Sequence, residues 1–501
     1  MCDSHGMSDL PVNLPVIAPQ CKHYGVCGSP AHYLHDGQSL CVLHAPTGDK
    51  DLTAAANLLA NLLAGGQCDF RWMWFGNRLP AQAFADYVFL ETADFSNVTA
   101  ESVAFPRTTF RQDVIFEGAR IGKIILSDCV IQGTLGINTL HPMSEIRVIR
   151  TMVEHSVTIA SFTSSHVDFE GSVFEDAVSV TGLSLDSLSL VGTIFRSGFR
   201  VRGEIRQFID VRKAAFSEVV DLQSCRLNIS IDFDSAVFTE GSVLDVRCAY
   251  FRDGLSLSRR DQPSCVFLDG AVLASRAIFK TPMGQPKLRI IAQTKPPEFK
   301  GVATSFVNVD LSECRLLGNS FANIELSDVT WALHRKRAVL YEEIVVRSGG
   351  AIPLKSLQEA YQVLKRRYEV LGDHVIAGDF HYGEIEMRRH RSTNIRSIIC
   401  WEFVYWLFSG YGTRPNRAVI SLVALVFASA LLFWLSGSFP LLSDALQYSV
   451  AVSTFLKVEP DKFTPSIQLN RFAAWVQLVE ATAAVVLIAL FVLALRTRLR
   501  R

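Results

Sequence analysis

The chain has 501 residues, with 49 Lys or Arg against 49 Asp or Glu, so its formal net charge is zero. That balance excludes a generally basic nucleic-acid binder, and the length leaves room for several domains. Its eleven cysteines are too scattered for the disulfide framework of a small secreted protein and fit a reduced, cytosolic setting.

Residues 1–20 have no basic start followed by an apolar core, and read as a disordered N-terminus without a signal peptide. The first pattern with chemistry in it is CKHYGVCGSPAHYLHDGQSLCVLH, residues 21–44, within a zinc-knuckle-like segment over 21–50. Cys21, Cys27, Cys41 and His44 fall as C-x5-C-x13-C-x2-H. Two ligand pairs separated by a short loop suit tetrahedral zinc, because thiolate and imidazole match its preferences. A segment this small has little core without a metal, so a structural zinc is expected. The first spacing is wide, His23, His32 and His35 compete as ligands, and the alternative is a disordered Cys/His-rich tail. Residues 51–83 read as a helix leading into the next domain.

From 84 to 332 the chain repeats weakly. Leu311, Leu316, Phe321, Leu326 and Trp331 recur every five residues. So do Phe105, Phe110, Phe116, Ile121, Leu126 and Ile131, with one six-residue step. Phe169, Phe174, Val180, Leu185, Leu190 and Phe195 behave alike, and Phe216, Leu222, Leu227, Phe233, Phe238 and Leu244 alternate steps of six and five. Small residues sit two positions ahead of large ones, as with Ala93 before Phe95, Ala236 before Phe238 and Ala249 before Phe251. Neither helix nor strand has a period of five. A solenoid with four faces does, since every fifth side chain then points to its axis. The competing β-sandwich is disfavoured by poor period-two alternation. The pattern resembles the pentapeptide-repeat family, which implies a right-handed quadrilateral β-helix, with breaks expected near His141–Arg150 and Gln285–Lys300. The acid excess of this stretch is modest and interrupted by Arg212-Lys213 and Arg259-Arg260, so the DNA mimicry of some acidic family members is not read here.

Past Trp331 the period changes. His334–Val346 and Leu354–His390 read as helices of a linker over 333–395, with a break at Gly372 and Asp373 as N-cap of the second half. Trp401, Phe403, Tyr405, Trp406 and Phe408 mark 396–417 as an interfacial segment.

Two apolar runs follow, 418–437 and 473–495, each long enough to span a hydrocarbon layer of ~30 Å. Between them, 438–472 is too interrupted for a third span and too apolar for an ordinary loop. Arg414 and Arg417 precede the first run, and Arg496, Arg498, Arg500 and Arg501 form a basic tail over 496–501. The positive-inside rule puts both ends in the cytoplasm. Glu480 lies seven residues into the second run, ~10 Å deep, with Gln477 one turn earlier. It reads either as a carboxylate lining a cation pore or as a side chain reaching the outer interface. Tyr448, Ser449 and Ser453-Thr454-Phe455 resemble the pore helix of potassium channels, but Lys457-Val458-Glu459-Pro460 stands where TVGYG belongs. Gly410-Tyr411-Gly412 precedes the first span and reads as a turn. Glu480, Gln477, Ser453 and Thr454 are the pore-lining candidates.

No nucleophile elbow, Walker loop, zincin motif or dinucleotide fingerprint occurs, so no catalytic residues are assigned and an enzyme is not expected. Asp379, His381, Glu384 and Glu386 in the linker read more simply as solvated helix charges than as a site. Taken in order, the segments resemble bacterial membrane proteins that join pentapeptide repeats to a two-helix, ion-channel-like module, above all at YEVLGDHVIAGDFHYGEIEMRR and ALFVLALRTRLRR. The resemblance implies a multi-pass protein of the bacterial inner membrane. It would be a homo-oligomer, with a tetramer favoured, and its cytoplasmic coil would serve as sensor or scaffold. The alternative is a membrane-anchored platform on which the coil binds a cytoplasmic protein. No nucleic-acid partner is expected.

Overall fold

The structure, a computed structural model, describes residues 20–46 other than 30, 32 and 37, 51–76, 83–300 other than 140, 161 and 162, 304–391, 407–408, 415–454 and 470–499. Residues 1–19, the aromatic cluster Trp401–Trp406, Gly410-Tyr411-Gly412 and Lys457–Pro460 lie outside the described residues. The chain divides into two compact units, Met1–Asp310 with Glu325–Val329, and Leu311–Ile324 with Thr330–Arg501.

The first unit opens with a short helix α1 (Tyr24–Cys27), a hairpin of Tyr33–His35 and Gln38–Leu40, and helix α2 (Leu52–Ala64). Asp51 caps α2 by accepting hydrogen bonds from the backbone N–H groups of Thr53 and Ala54, at 2.9 and 3.0 Å. The rest is a β-solenoid of about 11 turns. Its strands stack in parallel, with partners such as Val88 and Thr109, Thr109 and Val130, and Val130 and Met152. Over this stretch a lap is 21 or 22 residues, which is four five-residue units plus one or two more, and the surplus accounts for the six-residue steps in the sequence; later laps lengthen, to 24 residues between Val220 and Leu244.

The five-step frame marks the interior. Phe105, Phe110, Phe116, Ile121, Leu126 and Ile131 are all buried, and so are the members of the other series. Aromatic rings stack from lap to lap: Phe89 on Phe110 at 4.9 Å, Phe95 on Phe116 at 5.1 Å, Phe195 on Phe216 at 5.3 Å. Each such pair contributes about 0.5–1.5 kcal/mol beyond the area it buries. The small residues that precede the large ones have a second use. The Thr108 hydroxyl donates to Phe84 O (2.8 Å), the Cys129 thiol to Phe105 O (2.7 Å), Ser172 to Val148 O (2.6 Å) and Thr193 to Phe169 O (2.8 Å). A small donor therefore satisfies a carbonyl that the tight corner leaves in the core. Burial pushes the Cys129 thiol up to about 11 and that of Cys225 up to about 12, so both act as inert core groups.

The two expected breaks are continuous coil instead. Met143–Ile149 pairs with the preceding lap, Glu145 opposite Lys123, and Leu288–Ala292 pairs through Arg289 opposite Cys265. In these longer strands alternate residues such as Ile146 and Val148 face the core, and this period of two masks the period of five.

The second unit contains three linker helices, α3 (Tyr341–Arg347), α4 (Leu354–Val370) and α5 (His374–Arg391). The expected helix from His334 begins later. Ala332–His334 and Arg337–Val339 form an antiparallel hairpin whose two turn residues, Arg335 and Lys336, have φ of 50° and 66°. Two successive left-handed residues make the tight turn that suits hairpin twist and prevent helical winding. Asp373 caps α5 as expected, accepting from the N–H groups of Val375 and Ile376, both at 3.1 Å. Helices α4 and α5 approach closely because Gly383 has no Cβ; one there would lie 2.9 Å from the Tyr361 ring and from Arg337 Nη1.

Helices α6 (Pro415–Leu435), α7 (Leu442–Ser453) and α8 (Arg471–Leu499) complete the unit. Asn416–Leu435 and Arg471–Leu493 are long and apolar enough to cross a membrane. Their apolar side chains are largely turned outward, as with Ile420 and Trp475, both 67% exposed. Phe433 of α6, Phe439, Ala445 and Tyr448 of α7 and Ala473 of α8 form one buried cluster, so α7 is folded back against both long helices.

Candidate functional site

Two centres carry the candidate residues, one in each unit. In the first, the turn after the Gln38–Leu40 strand returns Cys41 and His44 to the two ends of α1, where Cys21 and Cys27 wait. All four side chains are buried and their ligand atoms lie within 4.8 Å of one another, so the cluster could hold a metal ion. Cys41 Sγ is 3.6 Å from Cys27 Sγ and 3.1 Å from His44 Nδ1, and Cys21 Sγ is 3.7 Å from the same nitrogen. Around this set the backbone acts as a second layer. Cys41 N–H donates to Cys21 Sγ at 3.3 Å, and His44 Nε2 lies 3.3 Å from Arg71 O. A carbonyl can only accept, so Nε2 carries the proton and Nδ1 presents its lone pair to the cluster. The hydrogen bond between Cys27 and Cys41 holds the Cys41 thiol down at about 3, while that shared contact and burial push Cys27 up.

The competing histidines take other places. The His23 ring stacks on His44 at 4.7 Å and on Trp72 at 5.9 Å, covering the cluster, and burial lowers its pKa. His35 is exposed beside Asp36. His32 is outside the described residues. The contribution of Arg71 and Trp72 had no sequence signal, since a backbone carbonyl and a stacking ring follow no ligand spacing.

The second centre lies among α6, α7 and α8. Glu480 is only 1% exposed. Its Oε1 accepts from the Ser453 hydroxyl at 2.9 Å and contacts the Ser449 hydroxyl. Ser449 Oγ also lies 2.9 Å from Val426 O of α6. Of the pore-lining candidates, Glu480 and Ser453 are thus brought together inside the subunit. Gln477 is half-buried, and Thr454 is exposed, its hydroxyl donating to Val450 O of its own helix at 2.8 Å. Ser449 of α7 and Ser429 of α6 were missed as partners of Glu480, because their facing depends on how the three helices cross.

The linker charges form a third cluster. Glu343 accepts from Arg337, from Arg347 at 2.8 Å and from the Tyr361 hydroxyl at 2.5 Å, and Arg347 reaches Glu386 at 3.0 Å. Burial alone would raise the Glu343 pKa, but Arg337 and its hydrogen bonds bring it below its ordinary value. Asp379 accepts from Ala338 N–H at 2.9 Å, and Glu384 meets Lys365 at 3.3 Å and His381 at 3.5 Å. Glu386 is buried, not a solvated helix charge as its sequence suggests. No family model, curated protein or solved structure matches the chain.

Proposed function

We propose that the chain is an integral membrane protein of the ion-channel-like kind, with both termini in the cytoplasm of a bacterial cell and a β-solenoid serving as sensor or scaffold. The observation that carries this reading is α7. Its residues Ala445 and Tyr448 share one buried cluster with Phe433 and Phe439 on the α6 side and Ala473 of α8. A short helix folded back between two long apolar ones is the form of a pore helix. An ordinary tether has no need of it. Two such helices cannot enclose a pore alone, so the working protein is a homo-oligomer, with four copies favoured. Thr454, at the exposed C-terminal end of α7, then faces the shared axis. Recording from purified protein in planar bilayers tests this: discrete conductance is expected, altered by Thr454→Lys, and silence across voltage and salt overturns it.

The Cys21, Cys27, Cys41 and His44 cluster fits structural zinc in this reading. A tetrahedron with Zn–S of ~2.3 Å places its sulfurs about 3.8 Å apart, and Cys27 and Cys41 stand at 3.6 Å. Three thiolates and one imidazole fill all four positions, which leaves no open position for chemistry. Metal analysis of the purified chain should return one zinc per chain, lost in Cys41→Ser.

One observation favours a second reading, a membrane-anchored platform. On one face of the solenoid the outward residue of each rung is Val88, Thr109, Val130, Met152, Val173, Ile194, Ala215 and Val237, in register. Val88, Met152, Ile194 and Val237 are exposed. An apolar stripe in the cytoplasm suits a protein partner. Replacing both spans with an unrelated anchor separates the readings: a platform keeps its function and a channel loses it.

A further inference from the structure

The contacts of Ser449 hold a proton-counting problem. A serine hydroxyl has one proton to give and two lone pairs. Ser449 Oγ lies 2.9 Å from Val426 O, and a backbone carbonyl can only accept, so the Ser449 proton goes there. The same oxygen touches Glu480 Oε1. An ionised carboxylate also only accepts, which would leave two acceptors facing each other without a proton between them. If Oε1 carries a proton, each contact is satisfied. Glu480 O–H donates to Ser449, Ser449 donates to Val426 O, and Ser453 donates to the remaining lone pair of Oε1 at 2.9 Å.

The surroundings agree. The groups acting on Glu480 are hydroxyls, Ser449 and Ser453 of α7 and Ser429 of α6, and among the described residues no cation is one of them. Tyr448 of α7 is the other titratable group near it. The remaining charges whose side chains are described on these helices are Arg417 in the first turn of α6, Asp444 in the first turn of α7 and Arg471 at the start of α8. A buried charge with no counter-charge is costly, and a protonated acid avoids that cost.

We propose that Glu480 is a proton-binding site: a neutral carboxylic acid whose proton bridges to Ser449 and so links α8 through α7 to the Val426 carbonyl of α6. Removing the proton forces Ser449 to choose between Val426 O and Glu480, and one of the two inter-helix contacts is lost. The proposal does not depend on conduction, because the three-helix core exists in each copy.

Infrared difference spectroscopy on the full chain in lipid vesicles, in D2O at neutral pH, tests it. The spectrum of the wild type minus that of Glu480→Gln is expected to show the carbonyl stretch of a protonated carboxylic acid, lost on raising the pH. Ser449→Ala is expected to shift that band upward by removing its hydrogen-bond acceptor, and it serves as a second probe if the Gln variant does not fold. A difference spectrum holding only carboxylate bands at neutral pH overturns the proposal. So does a protonated band that appears only when sodium is withheld, which would make the site one for a monovalent cation. Silence in bilayer recordings leaves the expected band unchanged, so the two ideas fail separately.

Discussion

The Cys/His cluster of the first unit and the ion network of the linker are both buried, polar and built from a few residues, yet they differ in charge. Cys21, Cys27, Cys41 and His44 present four electron-pair donors to one point, with no side-chain cation among the four. The linker network has its own cations: Arg337 and Arg347 meet Glu343 and Glu386, and Tyr361 supplies a further donor. The first centre could hold a metal ion, and the second carries its own counter-charges. A buried centre thus announces its ligand by what its own residues leave out.

The largest effect that would break this comparison is at the Cys/His cluster. Chelation or Cys41→Ser is expected to unfold the segment around α1 and its hairpin while the solenoid survives, because structural zinc contributes on the order of 10 kcal/mol to segments of this size. Hydrogen exchange resolved along the chain reads it, and full protection over 21–45 in a metal-free sample would show that the segment does not need a metal. Next is Glu343→Gln, which leaves buried Arg337 with only the more distant carboxylate of Glu386, at 3.9 Å. Breaking one partner of a buried pair costs about 3–5 kcal/mol, and a denaturation midpoint for the linker that does not move would show the network to be dispensable. Acid should act on the same group more gradually. The Glu343 pKa is lowered in the folded state from 4.5, so its contribution is complete above that value and is lost as the pH falls through the folded one. Linker stability should therefore fall with acidification below about pH 4.5, and the Gln variant should lack that component. The smallest effect is at the surface. Arg107 meets Asp86 at 2.6 Å, but both are well exposed, and Asp86→Asn should leave the thermal midpoint unchanged.

Much of the architecture was legible in the residues because burial leaves a period. Large side chains recurring every five or six residues between Phe105 and Leu244 are inside, since the parallel stacking of laps returns each position to the same face. The Cys/His spacing was legible too, because ligand chemistry demands residue types that few other roles require together. Asp373 was readable as a cap, a purely local device.

One outcome was local but hidden: left-handed Arg335 and Lys336 convert an expected helix into a hairpin that the helical pattern concealed. What only the tertiary structure decided depends on distant parts meeting. Glu386 reads as a solvated charge until the α4–α5 approach over Gly383 encloses it. Glu480 stands out in its sequence as a carboxylate in an apolar run. That it meets Ser449 and Ser453 follows from α7 folding back, and no period in the sequence records that step. Periodicity and ligand type are properties of neighbours along the chain, whereas the partner of a buried polar group is chosen by which helices cross.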